Sequence, residues 1–358
     1  MLDRHQWDPT RCPTRRGQRP KNHATRQFDE KEMIFQSLPK IVETTGIDAL
    51  ILDPIQFFVE LAAMKLRIPY IDVSTALYID YWGYRPLGIY DWPYATTPEA
   101  LLRNQEGIAK GVKLTYNERT KAYANEAGLH INWDNPSDVF SKLAYITQLP
   151  KEFDFENPLL PPQFHYTGPF HDGEGRALVE FPWNRLTGEP LIYASMGTIM
   201  NGWADIFLTI IAGVAKHRET QLVLSIGDQL DPKQIGPAPG NAIIVNQAPQ
   251  LELLKRTSVC ITHAGLNTVL ESLAQGVPQL AIPVTFEQPG VAGRIAAKKT
   301  GVTMPFEALT SDRLSELLGE VLHNATYREN ARKFQDIINK TNGLSLAADI
   351  VERSFGLA

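Results

Sequence analysis

From Val245 to Gln288 the chain reads VNQAPQLELLKRTSVCITHAGLNTVLESLAQGVPQLAIPVTFEQ. Short apolar runs alternate with clusters of His, Gly, Asn, Thr, Glu and Gln, and a helix-length segment separates one run from the next. Strand–turn–helix units in succession build a parallel sheet. They also deliver their polar groups to one edge of it, the edge where open α/β sheets hold ligands.

The same rhythm extends on both sides. Strands are expected at Leu191–Ala194, Leu222–Ser225, Ala242–Val245, Val259–Thr262 and Gln279–Ile282, with helices between them and helices at Ser311–Leu322, Tyr327–Lys340 and Ser345–Phe355. Earlier, Ala49–Leu52 reads as a short buried strand stopped by Asp53-Pro54, Phe57–Leu66 as a helix and Tyr70–Val73 as a second strand. Order is expected to begin near Phe28, with Ile34, Leu38 and Ile41 at helical spacing around Pro39. A helical stretch covers Pro98–Gly128, and a strand lies near Leu143–Ile146. The Pro/Gly-rich segment Glu156–Phe181 reads as a linker. Three regions follow: an atypical, disordered head over 1–27, an N-terminal domain over 28–168, and a C-terminal domain over 169–358 that includes the last helices.

Composition narrows the function classes. At 358 residues the chain is long enough for two cores. No apolar run approaches the roughly 20 residues of a membrane span, and the polar N-terminus lacks the apolar segment of a secretory signal. Cys12 and Cys260 are too few for a disulfide framework, which makes the cytoplasm the expected compartment. No Cys/His cluster has metal spacing, so no metal is expected. The net charge of −5 hides an asymmetry. Residues 1–27 carry seven Lys/Arg against two Asp, a balance of +5 that leaves −10 for the remainder. An acidic body argues against nucleic acid as partner and leaves at most peripheral membrane contact.

Four motifs carry chemistry. In Leu191–Thr198 (LIYASMGT), a strand meets Gly197 with the Ser195 and Thr198 hydroxyls near a helix start, which suits phosphate. In Thr262–Thr268 (THAGLNT), Gly265 permits close approach of a ligand to free backbone N–H groups, beside His263, Asn267 and Thr268. Glu271 follows on the same helix, as a partner for ribose hydroxyls or as an ordinary solvated charge. Glu287 and Gln288 follow the last strand and offer groups suited to sugar hydroxyls. Each is ambiguous alone; their placement at successive strand ends is what points to a ligand. The aromatics Tyr81, Trp82, Tyr84, Tyr90, Trp92 and Tyr94 either line an apolar pocket or pin their loop to its own domain.

These residues resemble the donor-binding signature of family 1 UDP-glycosyltransferases, of the bacterial zeaxanthin and macroside type. The likeness is most specific at Ala248-Pro249-Gln250, His263-Ala264-Gly265, Asn267-Thr268, Glu271 and Glu287-Gln288, and it extends from about Phe28 to the C-terminus. It implies an α/β GT-B fold of two facing Rossmann-like domains with parallel sheets. It implies a UDP-sugar co-substrate, UDP-glucose above others, and an apolar hydroxylated acceptor such as a carotenoid or flavonoid. By the same resemblance Ala248 holds uracil through its backbone and His263 the diphosphate, with Asn267, Thr268, Ser195 and Thr198 nearby. Glu271 takes the ribose, and Glu287 and Gln288 the donor sugar. Gln247 stands where plant enzymes stack a Trp on uracil, and Leu266 where many have another Trp.

The implied reaction is inverting transfer, with UDP leaving as an acceptor hydroxyl attacks the anomeric carbon. Stabilising the diphosphate falls to His263 and the helix start. Activating the hydroxyl requires a general base. The family's base is a His after the first N-terminal strand, oriented by an Asp. Asp53 matches the Asp; no residue matches the His, and His5 and His23 lack a preceding strand. The N-terminal domain is therefore expected to be incomplete, with an exposed edge strand that favours self-association. The alternatives are a UDP-sugar-binding remnant that does not transfer, and a sugar-nucleotide epimerase of the same fold, which the Gln247–Gln288 match disfavours.

Overall fold

The computed structural model describes residues 23–56, 58–171, 176–198, 202–235 and 239–357. Residues 1–22, and with them His5, Cys12 and most of the expected head, lie outside the described residues. The protein is an α/β molecule with two parallel sheets, one in each of two compact units.

The first unit takes in the described residues up to Gln148, Glu156–Tyr166 and the C-terminal segment from Ser345. It opens with α1 (His23–Thr45), which runs through Pro39 and starts five residues before the expected onset of order at Phe28. Its sheet has the order β1 (Leu50–Leu52), β2 (Tyr70–Ser74), β3 (Tyr145–Thr147), β4 (Phe164–Tyr166), all parallel. Helix α2 (Val59–Leu66) connects β1 to β2. Helices α3 (Pro98–Thr115) and α4 (Glu118–Glu126) divide the expected Pro98–Gly128 stretch. The break falls at Asn117, whose side chain accepts from the Thr120 N–H at 2.9 Å and caps α4 instead of continuing α3.

Two expectations need correction here. The strand at Ala49–Leu52 is not fully buried: Ile51 is 59% exposed, because among the described residues β1 has a neighbour on only one side and Ile51 points away from the core. The segment Glu156–Phe181 is not a plain linker, since β4 forms within it and completes the sheet beside β3. The aromatic loop is held by its own unit. Tyr81 stacks on Phe140, Tyr90 on Trp92 with centroids 3.9 Å apart, and the Tyr94 hydroxyl donates to the Glu156 carbonyl at 3.1 Å.

The second unit comprises Leu149–Phe155 and Thr167–Leu344. It contains β5 (Leu191–Ser195), β6 (Gln221–Ser225), β7 (Ala242–Val245), β8 (Thr257–Thr262), β9 (Gln279–Ala281) and β10 (Gly301–Thr303), in the spatial order β10-β9-β8-β5-β6-β7. Five of these coincide with the expected strands to within two residues at either end; β10 is an addition. The helices are α5 (Ala204–Val214), α6 (Pro232–Ile235), α7 (Gln250–Leu254), α8 (Leu266–Ala274), α9 (Gln288–Ala297), α10 (Ser311–His323) and α11 (Ala325–Asn339). The last helix, α12 (Gly343–Ser354), starts in this unit and lies mostly in the first. That assignment differs from a division at residue 168, which gives all the C-terminal helices to one domain.

Apolar residues fill both faces of the second sheet. Ile192, Ala194, Leu222, Leu224, Val259 and Ile261 pack with α5 and α10, including Ile206, Phe207, Ile210, Leu314 and Leu318. The alternate residues Leu191, Tyr193, Val223, Ile243 and Cys260 pack with Leu253 and Leu254 of α7. A parallel sheet covered on both faces needs near-continuous apolar strands, which is what made these runs visible in the sequence. Each fully buried Leu, Ile or Val stabilises the unit by about 1.5–3 kcal/mol relative to exposure. Burial pushes the Cys260 thiol up to about 12, so it is a packing residue and not a reactive one.

Candidate active site

The chain winds the second sheet outward from its middle. β6 and β7 lie on one side of β5, and β8, β9 and β10 on the other. The order therefore reverses between β5 and β8, and the loops leaving those two strands diverge into a crevice at their C-terminal ends. Register aligns the edge: Ser195 pairs with Thr262 and with Ser225, Thr262 with Ala281, and Ser225 with Val245. The motifs at Ser195–Thr198, Gln247–Ala248, Thr262–Thr268 and Val284–Gln288 consequently leave the sheet along one side.

His263 sits at the switch point between two glycines. A Cβ on Gly197 would meet the imidazole Cε1 at 2.6 Å and Nε2 at 2.7 Å, and a Cβ on Gly265 would strike Nε2 as well. The ring edge bearing Nε2 and Cε1 thus occupies space that only glycine leaves open on both sides. Gly197 has φ +78°, whereas Gly265 has φ −63°, so the second glycine is required by the ring's position and not by its backbone. The left-handed residue of this turn is Ala264, with φ +66° and no exposed surface. Its N–H donates to the Thr262 hydroxyl at 3.2 Å. A non-glycine residue held in this region stores strain, of the kind that clusters where a turn must aim groups at a ligand.

Burial pushes the His263 pKa down to about 4, against a smaller opposing effect of the Ser195 backbone. The ring is neutral at pH 7, and its Nδ1 is buried with no hydrogen-bond partner among the described residues. Helix α8 starts at Leu266, with Gly265 as its N-cap and no side-chain cap. Its first N–H groups and the positive end of its dipole face the same edge, a setting for an anion. Asn267 is exposed and Thr268 buried on this first turn.

Glu271 is not a solvated helix charge: it is 1% exposed. Its Oε1 accepts from Nη2 of Arg176, and its Oε2 accepts from Nε2 of Gln250 at 2.6 Å. Gln250 is itself oriented by the Tyr193 hydroxyl, which donates to its Oε1 at 2.9 Å, and its Nε2 lies 3.5 Å from the Thr268 hydroxyl. Gln247 is exposed and donates to Asp228 at 2.8 Å, while Ala248 packs against the core under β7. At the last strand end, Gln288 is buried and its Oε1 accepts from the N–H groups of Val284 and Thr285, at 2.8 and 3.0 Å. Glu287 occupies the N-cap position of α9 without a side-chain capping bond and follows Phe286, a second left-handed non-glycine residue at φ +55°.

Asp53 belongs to the first unit, at the C-terminal end of β1. Its Oδ2 accepts from the Thr75 hydroxyl at 2.7 Å and its Oδ1 from the Ile55 N–H at 3.1 Å. The nearby Asp72 is fully buried, and burial pushes it up to about 7, although its Oδ2 accepts from the Ser141 N–H at 2.8 Å. Neither residue type nor spacing singles out Asp72, Arg176 or Tyr193. Arg176 lies 95 residues from its partner in a Pro/Gly-rich stretch without periodicity, and only the fold brings them together.

Comparison with known proteins bears on the family and the fold. The sequence pattern of the UDP-glucoronosyl and UDP-glucosyl transferase family matches residues 112–342. The chain is similar to zeaxanthin glucosyltransferase of Pantoea ananas, with 28% identity over 90% of this chain and 75% of that protein. It is also similar to NDP-glycosyltransferase YjiC of Bacillus subtilis (strain 168), with 25% identity over 90% of this chain and 76% of that one. Among solved structures, the glycotransferase of kitacinnamycin superposes with a TM-score of 0.70 at 21% identity, covering 96% of this chain and 86% of the other. That likeness shows the fold, which is GT-B.

Proposed function

The chain belongs to the UDP-glucoronosyl and UDP-glucosyl transferase family, and from that premise we propose that it moves glucose from UDP-glucose to a hydroxyl of an apolar small molecule, with inversion at the anomeric carbon. As a family member it is a UDP-sugar glycosyltransferase; the sugar, the acceptor and the stereochemistry are the proposal. Similarity to a zeaxanthin glucosyltransferase supports both glucose and an apolar acceptor carrying hydroxyls, such as a carotenoid; a flavonoid is the other acceptor class within the proposal.

One observation carries the donor side: His263 lies between Gly197 and Gly265 at the switch point, beside the uncapped start of α8. In the proposed complex the diphosphate occupies this turn. The neutral imidazole and the α8 N–H groups stabilise charge that grows as the bond to the sugar breaks. Ser195, Thr198, Asn267 and Thr268 flank the phosphates. Glu271 takes the ribose hydroxyls, Gln247 and the Ala248 backbone face the base, and Glu287 and Gln288 the sugar. No bound metal takes part in this scheme. On the acceptor side Asp53 serves as the carboxylate that orients the general base. The compartment proposed for the reaction is the cytoplasm, on the ground that two cysteines are too few for a disulfide framework. No described helix is long and apolar enough to cross a membrane.

The second reading is a protein that binds UDP-sugar without transferring it. It is favoured by the partners of Asp53, which among the described residues are the Thr75 hydroxyl and the Ile55 N–H and include no histidine that the carboxylate could orient as a base. One pair of measurements separates the two: UDP affinity by titration calorimetry, and UDP release from UDP-glucose with a panel of hydroxylated apolar acceptors. Turnover that Asp53→Ala abolishes supports transfer, and binding without turnover supports the second reading. Absence of UDP binding, or UDP binding unaffected by His263→Ala, defeats the donor-site assignment.

A further inference from the structure

The carboxylate of Glu271 is held from two sides by groups that come from distant parts of the second unit. Gln250 reaches Oε2 from α7, and its amide is fixed in one orientation because Tyr193 donates to its oxygen. Arg176 reaches Oε1 from the segment preceding β5, and is the cation bonded to Glu271 among the described residues. The Arg176 side chain is half exposed while that of Glu271 is enclosed. Arg176 therefore reaches the carboxylate from its outer, solvent-facing side.

A carboxylate offers about four lone-pair directions and accepts only. Two are used by Arg176 and Gln250, one on each oxygen, which leaves one on each oxygen for the two hydroxyls of a vicinal diol. The two protein bonds fix the plane in which those remaining lone pairs point. Without the guanidinium, Oε1 would lose its described partner and an enclosed charge would lose its cation, and either change frees the carboxylate to turn.

We infer that Arg176 is a positioning residue for nucleotide recognition: by holding the Glu271 carboxylate in place, it makes the site select a ribonucleotide over its 2′-deoxy counterpart. This rests on the reading of Glu271 as the ribose ligand given above. Arg176 does not touch the reacting atoms, and its effect passes through Glu271 alone.

The test compares UDP with 2′-deoxy-UDP by titration calorimetry on the full chain. The wild type is expected to prefer UDP by roughly tenfold, the scale of one hydrogen bond to a charged group. Arg176→Met is expected to weaken UDP and reduce that preference to under about threefold. Arg176→Lys, which keeps the charge and loses the planar fork, should fall between the two and serves if the Met variant does not fold. A structural role alone would weaken both nucleotides equally, so an unchanged ratio in Arg176→Met or Arg176→Lys overturns the inference. So does a wild type that binds UDP and 2′-deoxy-UDP alike. A wild type that binds neither nucleotide defeats the donor-site reading itself, an outcome distinct from the other two.

Discussion

At the scale of single residues, His263 combines two demands that seldom meet. It must stay close to an incoming anion, yet it is enclosed so that its charged form is disfavoured. The folded pKa of about 4 lies below the ordinary 6.5, so the unfolded chain binds the proton more readily than the folded one. This group's contribution is thus fully present above pH 6.5 and is lost as pH falls toward 4, a change of up to about 3 kcal/mol. Thermal unfolding followed by circular dichroism should show that loss in the wild type and a flatter profile in His263→Gln over the same range. A wild type that gains stability on acidification through that window would contradict the assignment. The strand–helix turn that carries His263 and Gly265 was legible in the sequence, because an apolar run ending in small and polar residues before a helical stretch marks it; the burial of Glu271 was not, since a helix charge is ordinarily solvated. The left-handed Ala264 was not, since nothing about an alanine announces φ +66°. Arg176 was hidden for a different reason: its partner is near in space and remote in sequence.

At the scale of elements, the position of α9 depends on a segment outside the sheet. Arg294 of α9 donates through Nε and Nη2 to Oδ1 of Asp154, at 2.9 and 2.7 Å, and both side chains are buried. Its Nη1 donates to the Gly290 carbonyl, and its guanidinium lies 4.8 Å from the centre of the Phe155 ring. Removing one partner of such a pair leaves the other charged and enclosed, at a cost of about 3–5 kcal/mol. Asp154→Ala is expected to lower stability by that amount in urea unfolding. It should also weaken binding of the intact donor more than of UDP, because α9 begins at Glu287 and Gln288. Equal losses for UDP and UDP-glucose would detach α9 from sugar recognition. The strands of the second sheet were readable because both faces are covered, which forces uninterrupted apolar runs. β4 escaped notice because three residues among prolines leave no period to detect. The exposure of Ile51 escaped notice because the burial of an edge strand is decided by its neighbours and not by its own sequence.

At the scale of the whole molecule, the proposal places nucleotide contacts in the second unit and Asp53 in the first. Ligand that binds only the folded chain stabilises it by mass action. UDP at a hundred times its Kd should add about 2.7 kcal/mol to unfolding and raise the Tm, as read by scanning calorimetry. A Tm indifferent to UDP at that concentration would count against the donor site. The division into two α/β units could be anticipated from length and from the interruption of the βα rhythm near residue 168. The actual bookkeeping of segments could not, because which unit a stretch joins is settled by packing partners that lie far along the chain.

That bookkeeping bears on how such molecules can be recombined. The polypeptide passes from one unit to the other after Gln148, Phe155, Tyr166 and Leu344. A single cut near residue 168 would strip the second unit of Leu149–Phe155, and with it the counter-ion of Arg294, while taking from the first its C-terminal segment. Chimeras that exchange donor-binding halves between relatives should therefore fold best when Leu149–Phe155 travels with the C-terminal half and Ser345 onward stays with the N-terminal one.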